Sequence, residues 1–163
     1  MAYYDEISEG YDELHSEEQE KKIALIKQKL KVGREDKLLD VGCGTGITTR
    51  CWDCKRFGID PSENLLEKAK QADKGGKYIL AAAEKIPFEG NFFDIVVSIT
   101  AIQNFDDIEK GLNEIKRVGK NKFVLSFLKK SPKREKIEKL INQLFQKAEI
   151  VEEDKDIIFL VGI

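Results

Sequence analysis

Apolar residues along the chain follow two different patterns. Short apolar runs, which are typical of buried strands, alternate with longer stretches in which apolar residues recur every three or four positions, as on one face of a helix. One such stretch places Ile23, Ile26 and Leu30 on a single face. Helices are predicted over residues 16–32, 62–72, 107–118 and 131–145.

Polar residues at the predicted helix starts support these boundaries. Ser16 and Gln19 are spaced as a capping box, in which two side chains bond free backbone amides of the first turn. Ser62 and Asp107 are residue types that favour the N-cap position. Pro132 stands at the first position of the last helix, where proline is favoured.

The apolar runs predict seven strands. Because the first five alternate with helices, we expect a mostly parallel sheet that is covered on both faces. Only a few polar residues separate the last two runs, too few for a parallel crossover, so these runs should form an antiparallel hairpin. The fold class is therefore α/β and doubly wound. Strands are predicted at 37–42, 55–60, 77–83, 93–100, 122–128, 148–153 and 156–163.

Composition favours a single globular domain over residues 1–163. The chain has 163 residues, of which 41% are hydrophobic and 36% charged, and no apolar run is long enough to span a bilayer. The acidic start resembles neither a signal nor a transit peptide. We therefore expect a cytoplasmic protein without a membrane partner.

Charge is distributed unevenly, although the formal net charge is only −2. Residues 1–20 hold eight acidic side chains and no Lys or Arg, whereas residues 129–139 hold six basic and two acidic ones. Solvated faces explain most such runs. The segment 1–16 has few large apolar residues but three tyrosines, so we expect it to act as a mobile lid over a bound ligand.

The three cysteines do not predict a metal site. Cys51 and Cys54 form a C-x-x-C pair, but a structural zinc needs four ligands, and only Cys43 and His15 are available besides them. A redox pair usually stands at a helix start directly after a strand, which is not the setting here. Unpaired thiols are the favoured interpretation, with a disulfide or a redox pair as alternatives.

The stretch "GCGTG" after the first predicted strand predicts a ligand-binding loop. Gly42, Gly44 and Gly46 allow the backbone to turn tightly and to approach a ligand. A dinucleotide fingerprint would need a third glycine at position 47, which is Ile47. Asp60 ends the second predicted strand, where its carboxylate can accept both hydroxyls of a ribose. The ligand should therefore resemble adenosine with a free ribose.

Four segments of the chain together resemble the class I S-adenosylmethionine-dependent methyltransferases. They are "LLDVGCGTG", "GIDPSENLLEKAK", "AAAEKIPFEGNFFDIVVS" and "IEKGLNEIKRV", and the resemblance runs from about residue 10 to the C-terminus. It implies a Rossmann-like seven-stranded sheet of order 3-2-1-4-5-7-6 with strand 7 antiparallel. That topology agrees with the terminal hairpin.

The resemblance also implies a set of cofactor-binding residues. The three glycines would surround the methionine part of S-adenosylmethionine, and Asp40 would hold their loop or the cofactor's amino group. Asp60 would bind the ribose, while Ala83 and Glu84 would border the adenine. The full implied set is Tyr11, Asp40, Gly42, Gly44, Gly46, Ile59, Asp60, Pro61, Ala83, Glu84 and Thr100.

The sequence departs from the family pattern in two places. Gly46 and Asp60 are fourteen positions apart, which is short for the family, so the first helix after the loop should be stunted. The fourth strand is followed by "SITAIQNF" and lacks the Asn/Asp-Pro-Pro-aromatic motif of amino methyltransferases. Gln103 and Asn104 could bind a substrate there, and His15 is the one candidate for a general base.

The methyl acceptor is left open by the sequence. The acidic leading segment suits a cationic substrate, including a basic protein, whereas "KKSPKR" suits an RNA backbone or a carboxylate. No capping domain is inserted, which leaves room for a large substrate or a partner subunit to complete the pocket. The alternatives to methyl transfer are a cofactor-binding subunit without turnover and a nicotinamide-dependent reductase, and Ile47 argues against the reductase.

Overall fold

A computed structural model describes the backbone of residues 8–163 and the side chains of residues 15–163. In this part of the chain, seven strands form one sheet of order β3-β2-β1-β4-β5-β7-β6. The strands are β1 (Lys37–Val41), β2 (Lys55–Asp60), β3 (Lys77–Leu80), β4 (Phe93–Ser98), β5 (Gly119–Leu128), β6 (Ala148–Glu152) and β7 (Asp156–Val161).

Strand directions confirm the predicted doubly wound topology. Strands β1 to β5 pair in parallel, and β7 pairs antiparallel with both β5 and β6. A three-residue turn, 153–155, joins β6 to β7, which is too short for any other arrangement. The order of the strands reverses between β1 and β4, so the carboxyl ends of these two strands border a crevice.

Helices cover both faces of the sheet, as predicted. Side chains of a strand alternate between faces, so Leu38 packs with Ile23 and Ile26 whereas Leu39 packs with Leu112 and residues of the last helix. The helices are α1 (Ser8–Lys27), α2 (Ile47–Arg50), α3 (Glu63–Ala72), α4 (Ile108–Val118) and α5 (Arg134–Leu144), with a 3-10 turn at Ile102–Asn104.

Two predicted N-caps and the stunted first helix are confirmed. The hydroxyl of Ser62 accepts a hydrogen bond from the Leu65 amide at 3.3 Å, and the carboxylate of Asp107 accepts one from the Lys110 amide at 3.1 Å. Helix α2 has only four residues. The short connection from the glycine loop to β2 leaves no room for more.

The predicted start of α1 is wrong, because Ser16 and Gln19 lie inside a continuous helix and form no capping box. Residues 8–15 are rich in acidic side chains, which favour the first turns of a helix through its dipole. The lid predicted over 1–16 therefore includes part of α1, and residues 1–7 lie outside the described part of the chain. Its mobility stays a prediction.

Several other boundaries differ by a few residues, among them those of α5 and β3. Helix α5 begins at Arg134 and not at Pro132, which lies in a turn before it. Strand β3 ends at Leu80 and not at Ala83, so Ala83 and Glu84 lie in the loop that follows. In the described part of the chain, no helix is both long enough and apolar enough to span a membrane.

A cluster of three polar side chains, Arg56, Asp73 and Tyr78, packs behind the glycine loop. The Arg56 guanidinium donates two hydrogen bonds to Asp73, at 2.9 and 2.6 Å, and the Tyr78 hydroxyl donates a third at 2.7 Å. A Cβ built on Gly46 would lie 2.9 Å from the Tyr78 oxygen, so this ring packs directly against the loop. The hydrogen bonds from Arg56 lower the pKa of Asp73 to about 2.

We predict that Asp73→Asn will lower stability in a pH-dependent way. The carboxylate has a lower pKa in the folded chain than its ordinary 3.8, so its stabilising effect is complete above about pH 4 and disappears as the pH falls toward 2. The wild-type advantage in the free energy of unfolding should reach at most about 2 kcal/mol. Urea denaturation between pH 2 and 7 measures it, and a pH-independent difference would contradict the prediction.

Candidate functional site

The glycine loop leaves β1 and turns back against β2. The amides of Gly42 and Cys43 both donate to the Ile59 carbonyl, at 2.9 and 3.0 Å. Gly42, Gly44 and Gly46 have φ values of 78°, 55° and 86°, in the left-handed region that glycine tolerates best. The conformation of the loop therefore favours glycine at all three positions.

Gly44 differs from the other two glycines in what surrounds it. A Cβ built on Gly42 would lie 2.6 Å from Ala101, and one on Gly46 would meet Tyr78, whereas a Cβ on Gly44 would have no atom within 4 Å. Gly44 thus presents bare backbone to open space at the carboxyl edge of the sheet. A side chain at this position would fill that space.

Asp60 holds the loop to the end of β2. One carboxylate oxygen accepts from the Gly44 amide at 2.9 Å, and the other accepts from the Ser62 amide at 2.8 Å. The residue is 4% exposed. Each carboxylate oxygen has a second lone pair, so Asp60 can accept further hydrogen bonds from a ligand while it holds the backbone.

Asp40 lies behind the loop and secures α2. Its Oδ2 accepts hydrogen bonds from the hydroxyls of Thr48 and Thr49, at 2.6 and 2.7 Å. Its Oδ1 is buried and has no hydrogen-bond partner among the described residues. Burial raises the pKa of Asp40 to about 6, although the two threonine hydroxyls act in the opposite direction.

These elements enclose one side of an open cavity, and α1 and the segment after β4 form the other side. We call the second side, formed by His15, Gln19, Thr100 and Asn104, the α1 end. The residues that line the whole cavity are His15, Gln19, Gly42, Cys43, Gly44, Thr45, Ile47, Thr48, Asp60, Pro61, Leu65, Ala81, Ala82, Ala83, Glu84, Ile99, Thr100, Ala101, Asn104, Phe105 and Asp106.

Most of the residues singled out in the sequence line this cavity. Those on its wall are His15, Gly42, Gly44, Asp60, Pro61, Ala83, Glu84, Thr100 and Asn104. Asp40, Gly46 and Ile59 stand behind the wall and support it. Gln103 is buried, and its amide nitrogen donates to the Thr100 carbonyl at 2.8 Å. The side chain of Tyr11 lies outside the described residues.

Sequence reasoning missed several wall residues, of which Gln19 is the most informative. It is 2% exposed and lines the cavity, and its Oε1 lies 3.4 Å from the Thr100 hydroxyl. The signal was present in the helical period, because Gln19 precedes Ile23 by four positions and Ile26 by seven. A polar residue on an apolar helix face is a candidate for a site.

The cysteines take no part in a metal centre in the described part of the chain. No group of three or more His, Cys, Asp or Glu side chains there could hold a metal ion. All three thiols are free. Burial raises the pKa of Cys51 to about 12 and that of Cys54 to about 11, which disfavours the reactive thiolate.

Comparison with known proteins identifies the family. Residues 39–127 match the family described as "Methyltransferase domain". The chain is 32% identical over 145 residues to a demethylmenaquinone methyltransferase of Thermotoga maritima, covering 81% of this chain and 62% of the relative. It is 30% identical over 116 residues to a malonyl-[acyl-carrier protein] O-methyltransferase of Enterobacter lignolyticus, covering 69% of this chain and 46% of that relative.

A solved structure agrees with the fold. A SAM-dependent methyltransferase from Aquifex aeolicus superposes with a TM-score of 0.65 at 20% identity, covering 79% of this chain and 84% of that one. The family match covers more than half of the chain, so the chain belongs to the class I S-adenosylmethionine-dependent methyltransferases. It spans only about half to three fifths of the length of the two curated relatives.

We predict that Asp40→Asn will change stability with the opposite pH dependence to Asp73→Asn. The pKa of Asp40 is higher in the folded chain, about 6, than its ordinary 3.8. The stability of the wild type relative to the variant should therefore be greatest below about pH 4 and should fall as the pH rises through 6, by up to about 3 kcal/mol. Urea denaturation of both proteins between pH 3.5 and 7.5 tests the sign.

Proposed function

We propose that this chain binds S-adenosylmethionine in the cavity and transfers its methyl group to an acceptor bound at the α1 end. The observation that carries the proposal is the bare backbone of Gly44, which faces open space beside the carboxylate of Asp60. The space beside Gly44 would take the amino-acid part of the cofactor, and the carboxylate of Asp60 would take its ribose. Membership of the methyltransferase family supports the same assignment.

Three groups of residues would hold the cofactor. The loop 42–45 would contact its methionine part, and Asp60 would accept hydrogen bonds from the ribose hydroxyls. Ala83 and Glu84 would border the adenine. Glu84 is itself positioned, because its carboxylate accepts a hydrogen bond from the Asp107 amide at 2.9 Å.

The bound cofactor supplies an electrophilic methyl group on a sulfonium, so the chain needs no nucleophile of its own. The work of the protein is to align the acceptor with that methyl group and to exclude water. His15 lines the α1 end and is a candidate base for an acceptor that must lose a proton. Asn104 lines the same end and is a candidate for acceptor binding, whereas Gln103 is turned toward the Thr100 carbonyl.

Two alternatives predict different measurements. A nicotinamide-dependent reductase is disfavoured, because Ile47 stands where the third glycine of the dinucleotide fingerprint would be. A regulatory subunit would bind the cofactor without turning it over. Titration with S-adenosylmethionine and with a nicotinamide cofactor distinguishes the methyltransferase from the reductase. Release of demethylated cofactor in the presence of acceptors distinguishes the methyltransferase from a regulatory subunit.

Charge on the cavity wall bears on the acceptor. Among the described wall residues are three carboxylates, Asp60, Glu84 and Asp106, and no Lys or Arg. No residue of the basic segment 129–139 lines the cavity. The Lys133 ammonium donates to the Gln103 carbonyl at 3.2 Å. We therefore propose an uncharged or cationic acceptor. Of the substrates that the two relatives are named for, demethylmenaquinone fits this wall better than a malonyl group, which has a carboxylate.

We predict that Gly44→Val will abolish cofactor binding and leave the fold intact. The side chain would enter the open space beside Gly44, and the strain of a branched residue at φ 55° should cost only about 1–2 kcal/mol of stability. Calorimetric titration with S-adenosylhomocysteine measures binding, and thermal denaturation measures the fold. Gly33→Val is the matched control, because position 33 is remote from the cavity and has room for a Cβ. If Gly44→Val binds S-adenosylhomocysteine as tightly as the wild type does, the cavity is not the cofactor site.

We also predict that the cavity will discriminate between ligands by charge, because its wall has carboxylates and no Lys or Arg among the described residues. Tyramine and 4-hydroxyphenylacetate share a phenol ring and differ in the sign of their charge. With S-adenosylhomocysteine bound, tyramine should bind at least about tenfold more tightly, which corresponds to 1.4 kcal/mol. Asp106→Asn should reduce that ratio. Tighter binding of the carboxylate would contradict the proposed acceptor class and leave the cofactor assignment standing.

A further inference from the structure

The α1 end of the cavity contains a strained residue, Thr100. Its φ is 56°, in the left-handed region that a β-branched residue rarely adopts. Such a conformation persists only where the surrounding contacts outweigh the strain, and it is frequent at functional sites. The contacts of Thr100 therefore show which parts of the structure maintain this conformation.

Three linked polar side chains hold Thr100 in place. Its hydroxyl accepts a hydrogen bond from the Lys22 ammonium at 2.8 Å and donates one to the Asp156 carboxylate at 2.6 Å. Its amide donates to the Ser126 hydroxyl at 2.9 Å, and Ser126 in turn donates to Asp156 at 2.9 Å. We call Lys22, Thr100, Ser126 and Asp156 the buried cluster.

The buried cluster is built around an ion pair that is almost completely buried. The Lys22 ammonium lies 3.1 Å from the Asp156 carboxylate, and the two side chains are 2% and 0% exposed. The desolvation of two charges can cancel their attraction, so a buried pair of this kind is weak evidence for stability. The hypothesis that the contacts of Thr100 favour here is that the pair fixes a local conformation.

The same cluster fixes helix α1 relative to the sheet. Lys22 follows Gln19 by three positions and His15 by seven, so all three side chains lie on one face of the helix. A second ion pair, between Glu18 and Lys155, joins α1 to the turn before β7. The cavity-lining face of α1 is thus tied to the start of β7 and to the strained turn after β4.

We propose that Lys22 and Asp156 are positioning residues that set both walls of the α1 end. They hold Thr100 in its strained conformation on one wall and hold His15 and Gln19 on the other. The inference that these walls receive the methyl acceptor rests on the proposed function. The positioning itself is a property of the chain that can be tested without any ligand.

The primary test replaces the ion pair by apolar residues of similar size, in Lys22→Met/Asp156→Leu. Substituting both partners leaves no buried charge unpaired, but the Thr100 and Ser126 hydroxyls lose their acceptor. We therefore expect the double variant to fold with a moderately lower denaturation midpoint than the wild type. His15 is the only histidine of the chain, and its ring resonance in NMR spectra therefore reports the α1 end without assignment. We expect that resonance to shift.

A matched control removes an ion pair that is remote from the cavity. Arg34 and Asp53 are paired at 3.3 Å, with side chains 85% and 83% exposed. Arg34→Met/Asp53→Leu should leave the His15 resonance unchanged. Coincident His15 resonances in the wild type and in Lys22→Met/Asp156→Leu would overturn the proposal.

Variants of Thr100 keep the proposal testable if the double variant does not fold. Thr100→Ser retains the hydroxyl and should keep the wild-type His15 resonance, whereas Thr100→Val removes the hydroxyl at nearly constant volume and should shift it. If Thr100 only filled space, valine would preserve the His15 resonance at least as well as serine. Equal resonances for the serine and valine variants would overturn the proposal.

A second readout connects the buried cluster to the cofactor. With S-adenosylmethionine carrying an isotope-labelled methyl group, we expect the methyl resonance of the bound form to be alike for the wild type and Thr100→Ser. It should differ for Thr100→Val and for the Lys22/Asp156 double variant, at similar affinity. If the wild type does not bind the labelled cofactor, the proposed function fails, and the His15 resonances still decide the positioning role. If all proteins bind it with one methyl resonance, the proposed function stands and the link to the methyl group is overturned.

Discussion

The hydrogen bond from the Gly44 amide to the Asp60 carboxylate is the interaction on which the site depends. It adds a side-chain contact to the two backbone hydrogen bonds by which Gly42 and Cys43 join the loop to the end of β2. The second oxygen of Asp60 accepts from the Ser62 amide, at the cap of α3, so one carboxylate sets the loop, the strand end and the next helix together. The open space beside Gly44 follows from that arrangement.

Three buried carboxylates surround the cavity, and each is compensated by different chemistry. Asp60 accepts from backbone amides, Asp40 accepts from two threonine hydroxyls, and Asp156 is paired with the Lys22 ammonium. At Asp40 the two hydroxyls do not offset the effect of burial, which raises the pKa of the carboxyl to about 6. The same two hydroxyls explain why threonine, a poor helix former, recurs in the short helix α2.

Much of the fold could be predicted from local pattern. The terminal hairpin followed from a connection too short for a crossover, and the stunted α2 followed from the spacing between Gly46 and Asp60. The caps at Ser62 and Asp107 followed from residue type alone. The start of α1 could not be predicted, because Ser16 and Gln19 have the spacing of a capping box and only the fold shows that the helix continues past them.

The sequence by itself determined the half of the site that is built from short-range elements. The glycine loop, Asp60 and the cap of α3 lie within about one strand–helix–strand unit, where residue type and spacing dictate the geometry. Tertiary structure alone decided the α1 end. Lys22 and Thr100 are 78 residues apart, and Thr100 and Asp156 are 56 apart. In the sequence, Lys22 is one of many lysines and Asp156 one of many acidic residues. Their pairing arises only where α1 crosses the start of β7, and burial there turns two ordinary charges into a specific contact.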